Sequence, residues 1–281
     1  MKILNLLDYI LPSLGRGMGV GLLLLLAACD HIDENEQLIY VKPVDVARAV
    51  LIEDFTGQNC LNCPNATLTI ADLQATYGHT AVVAVGIYSG DFGHMRNGNP
   101  YPLTTEIGDE YYAHWGLDHQ PVGLVNRHGA SEYQDWGGLL SEQLQQMSRL
   151  QLEALMDYNP DNRQAVIKIS AMGTNGSTSG KLQVWLTEDS ITDGQRMPDG
   201  AWNKEYVHNH VFRDAVNGAW GTDFSIEEGE QKEQTFTYTI AEGKDWKPEN
   251  MHIVAFVYTN QGVEQVVTTK LKIDSSFPPS L

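Results

Sequence analysis

Val50-Leu51-Ile52-Glu53-Asp54-Phe55-Thr56-Gly57-Gln58-Asn59-Cys60-Leu61-Asn62-Cys63-Pro64 decides the reading of this chain. An apolar, strand-like run enters a glycine turn. Two cysteines spaced C-x-x-C then open a helix, with Pro64 tolerated in its first turn. This order puts Cys60 near a helix N-terminus, where unpaired backbone N–H groups and the positive end of the macrodipole favour a thiolate. The thiolate is the attacking species in thiol–disulfide exchange, and Cys63 is close enough in sequence to resolve a mixed disulfide.

Asp54 and Phe55 stand six and five residues before Cys60, after an apolar strand. Downstream, Trp115-Gly116-Leu117-Asp118-His119-Gln120-Pro121-Val122 has an aromatic-Gly-apolar-x-x-x-Pro form. Together these segments resemble the thioredoxin superfamily, in which such a proline is cis and lies beside the dithiol. The resemblance implies a nucleophile at Cys60, a resolving thiol at Cys63, a groove shaped by Pro121 and a buried acid at Asp54. A partly solvated strand-end carboxylate is the other reading of Asp54. Where the superfamily usually has Trp before the first Cys and Gly-Pro within the pair, this chain has Asn59 and Leu61-Asn62. His119, two residues before Pro121, is either a surface residue or one that faces the dithiol.

Neighbouring patterns extend the same unit. Residues 64–78 read as a helix stopped at Gly78, with Leu68, Ala71 and Ala75 on one buried face. The nearly continuous apolar run 81–88 reads as a central strand, completing a βαβ unit. The loop 89–104, carrying Asp91, His94 and Arg96, reads as an insertion, with substrate contact as the alternative. A short helix follows over 106–115 and a strand over 122–126. Residues 139–156 read as an amphipathic helix whose Leu140, Leu144, Met147, Leu150 and Ala154 form an ordinary core stripe. No cofactor is expected.

At the N-terminus, Lys2 and Arg16 precede an apolar run too short for a membrane span, which needs ~20 apolar residues. The run reads as a secretory signal over 1–28, and Leu26-Ala27-Ala28-Cys29 resembles the lipobox of bacterial lipoproteins, lipidated on Cys29; an ordinary signal peptide with a chance Cys at its end is the other reading. An acidic tether follows over 29–46. Of the three cysteines, one goes to lipid and two remain as a pair in an oxidising compartment. The formal charge is −18, and such a balance repels phosphate backbones, so nucleic acid is not an expected partner.

After the turn-rich Asn159-Pro160-Asp161-Asn162 the period changes to two. Strands are expected around 167–171, 182–186, 235–240, 253–258 and 263–273, which suggests a small immunoglobulin-like β-sandwich. The fold class is therefore α/β plus all-β: a thioredoxin-like domain over 47–158, then an Ig-like domain over 159–281. Within the second, His208 and His210 would share one side of a strand, a spacing that two metal ligands could use. No third ligand is suggested, and hydrogen-bonded histidines on a strand are the plainer reading.

The lipobox Cys29, Ile52-Glu53 with Phe55-Thr56-Gly57, the Cys60–Pro64 segment and His208-Asn209-His210-Val211-Phe212-Arg213 resemble the twenty-eight-kilodalton outer-membrane lipoproteins of Bacteroidetes. That resemblance implies a membrane-tethered envelope protein with these two domains. Three functions remain in view: thiol–disulfide exchange on a protein or peptide, a binding lipoprotein whose Cys60–Cys63 bond is structural, and metal binding.

Overall fold

The computed structural model describes residues 45–94 and 103–273. The expected signal peptide, Cys29, the tether up to residue 44 and Arg96 lie outside the described residues. In chain order the elements are β1 (Val46–Ala47), β2 (Val50–Thr56), α1 (Cys63–Tyr77), β3 (Val82–Tyr88), α2 (Gly90–Gly93), α3 (Glu106–His114), β4 (Val122–Val125) and β5 (Ala130–Ser131). There follow α4 (Trp136–Leu144), β6 (Met147–Ser148), β7 (Leu150–Asn159), β8 (Gln164–Gly173), β9 (Thr178–Glu188), β10 (Ile191–Arg196) and β11 (Trp202–His208). The chain closes with β12 (Val211–Ala215), β13 (Thr222–Ile226), β14 (Gln231–Thr239), β15 (Met251–Thr259), β16 (Gly262–Lys270) and β17 (Lys272–Ile273).

Every residue of β2 and β3 is buried; the nearly continuous apolar run of β3 suits a strand covered on both faces, while β2 also carries Glu53, Asp54 and Thr56 into the interior. They pair in parallel, and β4 adds antiparallel to β2. This strand–helix–strand unit does not stand alone. β12 lies between β3 and β9, so one sheet runs in the order β16-β15-β9-β12-β3-β2-β4-β5, with β13 also on β9. A second sheet has the order β14-β8-β7-β17. The architecture is mixed α/β plus β.

Alternation along β2 sends its side chains to two different cores. Val50 and Ile52 pack with Ala66, Ile70, Trp136 and Leu140 beneath α1 and α4. Leu51 and Phe55 pack on the other face with Tyr111, Trp185, Phe212 and Phe256. A third core, built from Leu152, Ile167, Val184, Ile226 and Ile253 among others, lies between the two sheets.

Two local expectations are corrected. The helix expected over 139–156 ends at Leu144, and β7 begins at Leu150. The stripe from Leu140 to Ala154 suits a helix, but Leu150, Leu152, Met156 and Tyr158 also alternate inward, and pairing of all ten residues of β7 with β8 satisfies that backbone. The boundary expected after residue 158 therefore falls in the β7–β8 hairpin. On α1, Leu68 is 64% exposed and Ala71 and Ala75 are also outside. The buried residues are Cys63, Pro64, Ala66, Ile70 and Gln74, with Ala66 and Ile70 packed against Val50, Ile52, Val82 and Ala84.

Candidate functional site

Cys60 and Cys63 form a disulfide with Cα atoms 5.4 Å apart. α1 begins at Cys63 with Pro64 in its first turn, and the Asn62 side chain makes no capping bond. Instead the Cys63 backbone N–H donates to Cys60 Sγ at 3.1 Å, so sulfur takes one of the helix's otherwise unpaired donors. Gly57 admits the loop: a Cβ there would collide with the backbone carbonyl of Phe92. The Asn59 N–H in turn donates to Phe92 O at 3.0 Å.

Both cysteines are buried, at 2% and 1% exposure. The β10–β11 hairpin is fastened to their loop. Gln195 Nε2 donates to the carbonyls of Cys60 at 3.0 Å and Gly57 at 3.3 Å, and Gln58 Nε2 donates to Gly194 O at 2.6 Å. The Arg196 N–H donates to Gln58 O at 2.8 Å.

Gln120–Pro121 is a cis peptide bond. Since Val122 pairs with Phe55, Pro121 stands one step further along, level with Thr56, where β2 hands the chain to the cysteine loop. Gln120 frames this corner: its Nε2 donates to Thr56 O at 2.7 Å and Ser89 O at 2.9 Å, and its Oε1 accepts from the Phe92 N–H at 3.3 Å.

Asp54 is buried, which removes the solvated reading. It alternates with Val50 and Ile52 and so faces the α1 side, with Oδ1 lacking a hydrogen-bond partner. Burial pushes its pKa up to about 7. It shares a cavity of about 450 Å³ with Thr67, Tyr88, Tyr206 and His208. Thr67 donates from its hydroxyl to Cys63 O at 3.3 Å, linking that cavity to the cysteine turn.

The structure separates the two histidines that were expected to share a strand face. β11 ends at His208, His210 has φ +57°, and β12 starts only at Val211. His208 Nδ1 lies 2.6 Å from Tyr88 Oη, and burial lowers its pKa to about 4. His210 pairs with Asp189, whose Oδ1 accepts from the His210 N–H at 2.6 Å. Among the described residues no three His, Cys, Asp or Glu side chains gather as a metal site would need. His119 lies at the surface, bonded to Asp118 at 2.8 Å and Glu132 at 2.7 Å. In the 89–104 loop, Asp91 is exposed and His94 bonds Asp109 at 2.8 Å.

Sequence reasoning missed Glu53. It faces away from Asp54 and forms a buried pair with Arg127, Oε2 accepting from Nε and Oε1 from Nη2, each at 3.0 Å. An acid inside an apolar run was the available signal. Gln120, Gln195 and the Tyr88–His208 pair carried none, since their partners are brought up by tertiary pairing.

The fold and the disulfide together define a class: a mixed α/β-plus-β protein with a buried cysteine pair at the mouth of its first helix. The pattern of the outer membrane protein Omp28 family matches residues 108–275, more than half the chain, and the chain belongs to that family. This places it at the outer membrane of the cell envelope. Among solved structures it is similar in fold to HBP35 of Porphyromonas gingivalis, at 12% identity and a TM-score of 0.65, covering 84% of this chain and 79% of that one. A domain of the outer membrane lipoprotein Omp28 from Porphyromonas gingivalis aligns at 29% identity, covering 46% of this chain and 92% of that domain with a TM-score of 0.34. No curated protein matches the chain. No helix among the described residues is long and apolar enough to cross a membrane.

Proposed function

We propose that this chain is a lipid-anchored, thioredoxin-like thiol–disulfide exchange protein of the outer membrane, acting on protein or peptide thiols, with an Ig-like second part. The observation that carries the reading is the Cys63 N–H directed at Cys60 Sγ. The same donor would stabilise a Cys60 thiolate once the bond is reduced. A substrate thiolate attacks Cys60 Sγ, the Cys60–Cys63 bond breaks, and Cys63 leaves as a thiolate that takes a proton from the Asp54 carboxyl. A second substrate thiolate then attacks the substrate's sulfur in the mixed disulfide and expels Cys60. The substrate is oxidised by two electrons and the protein is reduced by two. Pro121 shapes the groove beside this centre.

Reduction potential and thiol titration test the reading. It requires a potential in the roughly −120 to −270 mV span of exchange proteins and a Cys60 pKa well below ~8.5. A bond resistant to glutathione, with no catalysis of insulin reduction or of isomerisation, would overturn it. Burial of both cysteines favours a second reading, a binding lipoprotein with a structural disulfide. The anchor has its own test: Cys29→Ser is expected to move the protein from the membrane fraction to the soluble one, and an unchanged distribution refutes it.

A further inference from the structure

We propose that β14 is a dimerisation edge, pairing antiparallel with β14 of a second copy of this chain about a two-fold axis at Thr235. β14 ends the second sheet and is bonded to β8 on one side only. Its nine residues pair with β8 without a bulge and include no proline, two of the devices that blunt an exposed edge. The other end of the same sheet, β17, has two residues.

Hydrogen-bond phase selects the register. Ile240 N–H donates to Arg163 O and Gly173 N–H donates to Glu230 O, each at 2.9 Å, so the even-numbered residues of β14 face β8. Gln231, Glu233, Thr235, Thr237 and Thr239 therefore turn their N–H and C=O groups outward, and all five residues are exposed. Thr235 is one of these and also the midpoint of the strand. A two-fold axis there opposes Thr235 to itself, Glu233 to Thr237 and Gln231 to Thr239, and about ten backbone hydrogen bonds form along the whole edge. An axis at any other residue leaves part of the edge unpaired.

Side chains agree with that register. No like charges stand opposite one another along the strand. On the inner face Phe236 and Tyr238 pack against the core between the sheets and are still partly exposed. Pairing makes the two Phe236 rings diagonal neighbours, which carries that core across the seam. Lys232 lies on the same face, but its amine already meets Ser225 O and Glu230. Antiparallel order also sets the acidic turn 227–230 of one copy beside the 240–247 segment of the other. There Arg163, bonded to the carbonyls of Ile240 and Ala241, joins Lys244 and Lys247 and outweighs Glu242 and Asp245. Since both copies use the same edge, the contact is isologous and closes at two chains.

Sedimentation velocity on the oxidised mature chain carrying Cys29→Ser, so that no lipid joins two copies, tests this apart from any exchange activity. A species of twice the chain's mass is expected, dissociating on dilution. Thr235→Pro removes an N–H that faces solvent in the single chain, a place where an edge strand tolerates proline. Thr235→Lys and Thr235→Glu each set like charges across the axis. All three are expected to weaken association roughly tenfold or more, with an unchanged far-ultraviolet spectrum. An equimolar mixture of Thr235→Lys and Thr235→Glu is expected to restore association to near the native level, which no loss of folding could do. A chain that stays monomeric at every concentration, a dimer indifferent to these substitutions, or a mixture that fails to restore it overturns the proposal. So does a monomer whose edge captures only an unrelated extended peptide. Each of those results leaves the exchange reading standing.

Discussion

Asp54 and His208 share a cavity but are displaced by burial in opposite senses of protonation. The Asp54 pKa, about 7 against an ordinary 3.8, means that the folded chain holds a proton the unfolded chain has lost. Its contribution is thus full below about pH 4 and falls away as pH rises toward 7. The His208 pKa, about 4 against 6.5, means that the unfolded chain binds the proton first. Its contribution is absent below about pH 4 and grows as pH rises toward 6.5. At 1.36 kcal/mol per unit the effects are of order 4 kcal/mol for Asp54 and 3 kcal/mol for His208, and in the native protein they oppose each other. Urea unfolding at pH 4.5 and 6.5 should expose them separately. Asp54→Asn is expected to gain stability with rising pH relative to the native chain, and His208→Gln to lose it. Parallel slopes in all three proteins would mean that neither group titrates as its burial requires.

At the scale of elements, the β10–β11 hairpin is fastened by hydrogen bonds to the loop that carries the disulfide. Gln195 donates to two carbonyls of the cysteine loop and to that of Arg196, and the cysteines beneath are nearly inaccessible. If the proposed exchange occurs, reduction of Cys60 is expected to be limited by release of this hairpin from the cysteine loop. Gln195→Ala removes its side-chain bonds, each worth about 1 kcal/mol net, and is expected to speed reduction by dithiothreitol about tenfold with little change in potential. An unchanged rate in a thiol-trapping time course would show that the hairpin is not the barrier. This element also marks where sequence legibility ends. The β2–α1–β3 unit, the cysteine pair and Pro121 were readable because a strand, a C-x-x-C and a proline are local signals. The hairpin clamp was not, because Gln195 meets Cys60 across 135 residues of chain. Likewise 139–156 read as one helix because its apolar spacing suits either period, and only β8, paired across the turn, decides for a strand from Leu150.

For the molecule as a whole, the consequence lies in the sheet that runs through both halves. Two domains were expected from the change of period near residue 159, but β12 pairs with β3 on one side and β9 on the other. Gly86 N–H donates to His210 O at 2.8 Å across that seam. Further along, Ala49 N–H donates to Gln265 Oε1 at 2.8 Å, Val263 N–H donates to Asn126 O at 2.9 Å, and Arg48 pairs with Glu264 at 3.2 Å. Arg127, paired to Glu53 in the first half, lies over Phe256 at 4.8 Å and Tyr258 at 4.4 Å from β15. Removing the second half would bare the β3 edge, uncover Trp185's neighbours in the shared core and leave β7 without β8. A chain ending at Asn159 is therefore expected to give a collapsed, poorly dispersed amide spectrum. The full mature chain should unfold in one transition, with far-ultraviolet and near-ultraviolet signals coincident in urea. A well-dispersed spectrum from the truncated chain, or two separated transitions in the whole one, would show that the shared sheet joins the halves without making them interdependent.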